Sequence, residues 1–139
     1  MAYDPNNIFA KILRGEAPSY KIYEDAKTFA FLDIMPQARG HTLVIPKTEA
    51  ETIFDVEPDM LAAMIETTQE LAAVVKRVVE APGVMIAQLN GAAAGQTVFH
   101  VHMHIIPRWE GADFKLHARE MAPAAELKDL QAKILAALP

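Results

Sequence analysis

His100, His102 and His104 alternate with apolar residues in the stretch HVHMHII. On a β-strand the three imidazoles would project from one side, about 7 Å apart between successive Cα atoms, while the apolar residues would face the other side. We predict a strand, because β-branched residues flank the histidines and Pro107 ends the run. Such a cluster could bind a metal ion, carry a nucleophile, or be the polar face of an ordinary half-buried strand.

Zinc binding and nucleophilic catalysis make different demands on these histidines. Histidines at positions i and i+2 of a strand can share one zinc ion, and His41, at the start of another predicted strand, could supply a third ligand. A nucleophilic imidazole needs one deprotonated nitrogen aimed at the substrate and a fixed acceptor for the proton on its other nitrogen. Between Asn90 and Ile106 there is no acidic residue to orient a zinc-bound imidazole. The strand alone leaves both chemistries open.

The stretch NGAAAGQT, immediately before the histidines, could bind an anion. Gly91 and Gly95 permit backbone conformations that are closed to other residues, and exposed N–H groups in such a turn can form an anion-binding nest. Gln96 and Thr97 add side-chain donors. The alternative is a plain hairpin turn.

A second cluster combines a carboxylate with apolar residues in the stretch FLDIMP. Asp33 follows a predicted strand, and its carboxylate could accept both hydroxyls of a ribose. Ile34, Phe31 and Phe9 could then sandwich a base. The alternative is that Asp33 caps a turn before the proline and that the apolar residues belong to the core.

The segments around these clusters predict an α+β fold. The order of the predicted strands, with few crossover helices, indicates an antiparallel sheet with helices on one face. Helical spacing predicts a short helix in NNIFAKILRGE, a main helix between Pro58 and Pro82, and a terminal helix in PAAELKDLQAKILAAL. The five predicted strands are YKIYED, KTFAFLD, HTLVIP, VMIAQL and VFHVHMHII.

Length and composition predict a single soluble domain over residues 1–139. The net charge of −5 argues against the basic face of a nucleic-acid binder, and no apolar stretch is long enough to cross a membrane. The absence of cysteine excludes disulfides, thiolate zinc ligands and cysteine nucleophiles. Without a visible secretory signal, the expected location is the cytoplasm.

Together these stretches resemble the histidine triad (HIT) family, and most strongly its branch of nucleotide-binding proteins. The resemblance covers residues 7–108, through IFAKILRGEAPSYKIYED, FLDIMPQARGHTLVIPK and AGQTVFHVHMHIIPR. It leaves residues 109–139 as a C-terminal extension. The resemblance implies a HIT-like fold, with a five-stranded antiparallel sheet, a main helix and a short N-terminal helix. It also implies a homodimer formed through the main helix and the adjacent strands.

The resemblance implies hydrolysis at the α-phosphorus of a purine nucleoside phosphoramidate or a related nucleotide, with a product such as AMP and no cofactor. His102 would be the nucleophile and form a transient nucleotidyl-histidine. His100 and His104 would orient and polarise the site beside His41, and Asp33 would bind the ribose. The family positions around the base and the leaving group correspond to Phe9, Ile12, Phe31, Ile34 and Thr97.

Several positions depart from the family pattern or lie outside it. Leu89 stands where many relatives carry an amide that contacts the phosphate or leaving group, and Asn90 is the nearest substitute, although a one-residue shift along a strand reverses side-chain direction. Some relatives carry a structural zinc that is bound by cysteines near the N-terminal helix. The equivalent stretch here, IFAKIL, has no cysteine, and Glu49 stands where those relatives often place a histidine, so we predict no zinc. Trp109 begins the extension, which in this family often shapes substrate choice. His117, in the charged stretch KLHARE, is predicted to be solvated and to have no role.

Three other functions stay open at this point. The chain could be a nucleotide-binding partner or regulatory protein with vestigial catalysis, or a dinucleoside polyphosphate hydrolase that uses the same site. It could also be a zinc enzyme built on His41, His100 and His102.

Overall fold

The computed structural model describes residues 2–112 and 120–139. Its five strands form one antiparallel sheet in the order β1-β2-β3-β5-β4, which confirms the predicted α+β architecture. The strands are β1 (Tyr20–Glu24), β2 (Thr28–Leu32), β3 (Thr42–Pro46), β4 (Gly83–Ala87) and β5 (Met103–Arg108). The helices are α1 (Ile8–Leu13), α2 (Pro58–Val78) and α3 (Ala124–Ala137), with single 3-10 turns at Ile53–Asp55 and Ala92–Ala94.

The main core lies between the sheet and helices α2 and α3. Helix α2 buries Met64, Leu71 and Val75, whereas its Ile65 is 48% exposed. The side chain of Trp109 packs against this core from the start of the C-terminal extension. In the part of the chain that the structure describes, no helix has the length and hydropathy needed to cross a bilayer.

Helix α1 packs on the opposite face of the sheet, so the prediction that the helices share one face is wrong for α1. Successive side chains of β2 point to opposite faces. Ala30 and Leu32 therefore join the main core, while Phe29 and Phe31 join a second cluster with the buried residues of α1. All five residues of β2 are buried because both faces are covered.

The histidine segment is only partly a strand, because β5 begins at Met103. The prediction of one strand through all three histidines is thus wrong for His100 and His102. Strand β3 ends at Pro46, whose ring leaves no N–H for a longer ladder, and the N–H of Val101 bonds to the carbonyl of Ala50 instead. The apolar alternation still holds, since Val101 and Met103 are both buried in the main core.

Candidate active site

A cavity of about 590 Å³ opens on the face of the sheet that carries α1. Its walls come from α1, β2 with the loop after it, β3, and the segment leading into β5. Most of the residues that the sequence singled out meet here. Those that line the cavity are Phe9, Ile12, Phe31, Asp33, Ile34, His41, Thr97, His102 and His104.

One end of the cavity is apolar and aromatic. The ring of Phe9 meets that of Phe31 edge-on, with centroids 5.3 Å apart. Phe9 also meets the His102 ring edge-on, at 4.9 Å. Ile12 is buried beside them, whereas Ile34 at the rim is 43% exposed. A flat apolar group bound at this end would therefore lie directly beside the ring of His102.

The imidazole of His102 is held in one tautomer. Its Nδ1 lies 2.7 Å from the backbone carbonyl oxygen of His100, and because a carbonyl can only accept, Nδ1 carries the proton. Burial lowers the pKa of His102 to about 4, so the ring is neutral at pH 7. Its Nε2 is then deprotonated, which is the state that a nucleophilic imidazole requires.

His100 supports this arrangement from outside the cavity. Its Nε2 lies 2.8 Å from the carbonyl oxygen of Pro46, and its Nδ1 lies 2.6 Å from the hydroxyl of Tyr3. The zinc set of His41, His100 and His102 is therefore not assembled, because both ring nitrogens of His100 bond elsewhere. Among residues 2–112 and 120–139, no three His, Asp or Glu side chains are grouped as a metal site would require.

A second pair of imidazoles faces His102. The backbone N–H of Gln37 donates to Nδ1 of His41 at 3.1 Å, so the proton of a neutral His41 sits on Nε2. That Nε2 lies 2.9 Å from Nδ1 of His104 and donates to it. Burial, and then the nearby His102, lower the pKa of His41 to about 4, which keeps this ring neutral. His104 thus accepts at Nδ1 and carries its own proton on Nε2, with its ring centroid 4.8 Å from that of His102.

Asp33 closes the loop that brings His41 into the site. Its N–H donates to the carbonyl of His41 at 2.9 Å, and its Oδ1 accepts the N–H of Met35 at 2.8 Å. The turn-capping alternative is therefore correct for this one oxygen, while Oδ2 lies 3.6 Å from Nε2 of His41. Burial raises the pKa of Asp33 to about 6, opposed by the Met35 hydrogen bond.

Gly40 allows this loop to pass close to helix α2. Its φ is +92°, and a Cβ there would lie 3.0 Å from Cγ1 of Val75 and 3.2 Å from the ring of Pro107. A residue with a side chain would meet both a strained backbone and a steric clash. The glycine thus fixes the approach of His41, the next residue, to the site.

Two residues predicted to bind the nucleotide form hydrogen bonds within the loop that precedes the histidines and with the chain around Glu51–Ile53. Gln96 is 3% exposed, its Oε1 accepts the N–H of Gly91 at 2.7 Å, and its Nε2 donates to the carbonyl of Glu51 at 2.7 Å. The Oδ1 of Asn90 accepts the N–H of Ile53 at 2.8 Å. Such bonds are expected because buried amides are satisfied by backbone groups wherever they can reach them. Neither Gln96 nor Asn90 lines the cavity, and their contact with a nucleotide stays a prediction. Thr97 does line the cavity.

Sequence reasoning missed several contributors to the site. Ile8, Ser19, Met35 and Leu43 also line the cavity, and Tyr3 reaches His100 across 97 positions of sequence. An apolar neighbour of a predicted site residue gives no local signal that it faces the cavity and not the core. His117 lies outside the described residues.

Comparison with known proteins places these features in a family. A family model described as the HIT domain matches residues 14–111. The solved structure of a Hit-like protein from Bartonella henselae superposes with a TM-score of 0.93 at 46% identity, covering 99% of this chain and 100% of that one. The structure thus confirms the predicted HIT-like fold.

Two relatives carry the names of enzymes. Adenosine 5'-monophosphoramidase HNT1 of Candida albicans is 40% identical over 116 residues, which cover 81% of this chain and 76% of the relative. Adenylylsulfatase HINT3 of Arabidopsis thaliana is 34% identical over 139 residues, which cover 95% and 71%. The group therefore includes hydrolases, while other relatives are described only as uncharacterized HIT-like proteins. On the domain match and these identities, the chain belongs to the HIT family.

Proposed function

We propose that this protein hydrolyses a purine nucleoside phosphoramidate, or a related nucleotide, at the α-phosphorus through a covalent nucleotidyl-histidine on His102. The observation that carries the proposal is the state of His102. Its Nδ1–H is held by the carbonyl of His100, so the lone pair on Nε2 is available in a ring that lines the cavity. An imidazole in this state is a competent nucleophile at neutral pH.

The shape of the cavity supports a nucleotide as the ligand. The aromatic end around Phe9 and Phe31 suits a purine ring, which can stack or meet these rings edge-on. The ionised carboxylate of Asp33 can accept hydrogen bonds from the ribose hydroxyls. A nucleotide held at these two points would bring its α-phosphate towards His102 and Thr97.

The first step is attack by Nε2 of His102 on the α-phosphorus. The N–P bond to His102 forms as the bond from phosphorus to the leaving nitrogen breaks, and that nitrogen takes up one proton from solvent and departs as the amine. His104 carries its proton on Nε2 and can donate to a phosphoryl oxygen as charge builds there. Because His41 donates to Nδ1 of His104, that proton is held in place before substrate arrives.

The second step is hydrolysis of the nucleotidyl-histidine. Water attacks the same phosphorus and releases one proton to solvent, the bond to His102 breaks, and the ring returns to its neutral form. The products are a nucleoside monophosphate and an amine, so one water is consumed for each phosphoramidate. His102 supplies the nucleophile of the first step, and water is the nucleophile of the second.

Turnover of adenosine 5′-phosphoramidate by wild type and by His102→Ala tests the proposal. We expect AMP release by wild type and a loss of about a thousandfold or more in the variant, because the covalent path requires this imidazole. His117→Ala is the matched control, since the sequence predicts no role for that histidine. Rapid mixing followed by denaturation in base should trap one adenylyl group on wild type and none on His102→Ala.

Two outcomes would contradict the proposal. Normal turnover by His102→Ala would exclude the covalent mechanism. Binding of AMP without turnover of phosphoramidates, dinucleoside polyphosphates or adenylyl sulfate would favour a nucleotide-binding partner protein instead. Turnover of one of the last two substrates in preference to the phosphoramidate would keep the mechanism but change the leaving group.

We further propose that the protein is a homodimer that pairs through α2 and β4. Strand β4 is an edge of the sheet. Its Ile86 is 43% exposed, and Ile65 on the adjacent α2 is 48% exposed. Sedimentation of Ile65→Glu should show a monomer. The control is Leu135→Glu on α3, whose side chain is equally exposed at 48%. A wild type that sediments as a monomer at all concentrations would contradict this proposal.

A further inference from the structure

Tyr3 reaches the histidine segment from the chain ahead of α1. Its hydroxyl oxygen lies 2.6 Å from Nδ1 of His100. The two rings meet edge-on, with centroids 5.6 Å apart and planes at 72°. A short hydrogen bond and a ring contact thus join the start of the chain to the residue that holds the proton of His102.

The second nitrogen of the His100 ring shows which partner donates in the hydrogen bond between Tyr3 and His100. Nε2 lies 2.8 Å from the carbonyl oxygen of Pro46, which can only accept, so Nε2 carries the proton. Burial lowers the pKa of His100 and keeps the ring neutral, so Nδ1 accepts. Burial raises the pKa of Tyr3 and keeps its hydroxyl protonated. Tyr3 is therefore the donor.

This contact matters because His100 lies where the strand has not yet begun. The segment leading into β5 has irregular backbone at residues 98–102, so sheet hydrogen bonds do not hold the carbonyl of His100 in place. The bond from the N–H of Val101 to Ala50 holds one side of the planar peptide group that carries this carbonyl. The His100 ring, which is fixed by Pro46 on one side and by Tyr3 on the other, is the second restraint on the orientation of this carbonyl.

We propose that Tyr3 is a positioning residue for the reaction. By donating to Nδ1 of His100, Tyr3 fixes the ring of the residue whose backbone carbonyl holds the proton on Nδ1 of His102. The lone pair of His102 then stays on Nε2. The effect on turnover rests on the proposed function of His102, but the effect on the tautomer of His102 does not.

The test is Tyr3→Phe, which keeps the ring and removes the hydroxyl. Tyr23→Phe is the matched control, because it removes a tyrosine hydrogen bond, to Asp25 at 2.9 Å, from a part-buried hydroxyl on β1. Long-range ¹H–¹⁵N NMR of the imidazoles shows which nitrogen of each ring carries the proton. We expect His102 to be entirely in the Nδ1–H form in wild type and in the control, and to gain an Nε2–H population in Tyr3→Phe.

Kinetics supply the second measurement. With a phosphoramidate substrate, kcat of Tyr3→Phe should fall about tenfold, which corresponds to the loss of one part-buried hydrogen bond, while KM changes by less than about twofold. A purely structural role would leave the tautomer of His102 unchanged or would raise KM as kcat falls, and either result overturns the proposal. An altered tautomer of His102 with an unchanged kcat in Tyr3→Phe also overturns the proposal. If wild type shows no turnover, the proposed function fails, and the NMR comparison alone decides the role of Tyr3.

Discussion

Replacing Asp33 by Asn should stabilise the protein at alkaline pH. Burial raises the pKa of Asp33 from 3.8 to about 6, so the folded state binds its proton more tightly than the unfolded state does. Stability from this group is full below pH 3.8 and is lost as the pH rises through 6. The resulting loss in the free energy of unfolding amounts to about 3 kcal/mol at pH 8 and only about 0.5 kcal/mol at pH 4. The side chain of Asp33 is 22% exposed, so solvent screens the charge only in part.

Asparagine has no charge to bury and can still accept the N–H of Met35 through its carbonyl oxygen. Its NH₂ group would face the Nε2–H of His41, which offsets part of the gain. We therefore expect Asp33→Asn to raise the free energy of unfolding by about 1 to 3 kcal/mol at pH 8 and to change it little at pH 4.

Urea unfolding at the two pH values measures this difference. Asp129→Asn is the control, because that carboxylate lies on the surface with a side chain 58% exposed, and its pairing with Lys133 contributes little. An equal effect of Asp33→Asn at both pH values, or a loss of stability at pH 8, would refute the reasoning. The same variant should bind AMP about tenfold more weakly, as expected when a charged acceptor of hydrogen bonds is lost.

Three further predictions follow from the same geometry. For a ribonucleotide substrate, kcat/KM should fall as the pH drops below about 6, where Asp33 gains a proton. For a 2′,3′-dideoxy substrate, the fall in kcat/KM should begin near pH 4, where His102 gains a proton. Identical pH profiles would contradict the binding of the ribose by Asp33. Gly40→Ala should lower the free energy of unfolding by about 2 kcal/mol or more in chemical denaturation, because φ is +92° and the added Cβ meets α2 at 3.0 Å. Gln96→Ala should cost about 2 kcal/mol in the same assay, since it leaves buried backbone groups of two loops without partners; Gln131→Ala, which removes an exposed bond, should cost almost nothing.

Local pattern in the sequence was enough for most elements of the fold and for many of the residues that meet at the site. Apolar spacing predicted α2 and α3, and the alternation around the histidines placed Val101 and Met103 in the core. These features depend on the period of the backbone, which neighbouring residues set among themselves. The types and spacing of the histidines, with Asp33 and Phe9, indicated a site, and most of these residues do line one cavity. The nucleotide as its ligand was implied by the family resemblance and stays a prediction.

The tertiary structure decided what each of these side chains does there. Whether His102 lies on a strand depended on Pro46 and on the N–H of Val101, which bonds to Ala50. The tautomer of His102 depended on one carbonyl 2.7 Å away. The side-chain amide of Gln96 donates to the carbonyl of Glu51, which lies 45 positions earlier in the chain. Hydrogen bonds are short-ranged and directional, so their partners are set by which distant segments meet, and no local pattern in the sequence records that.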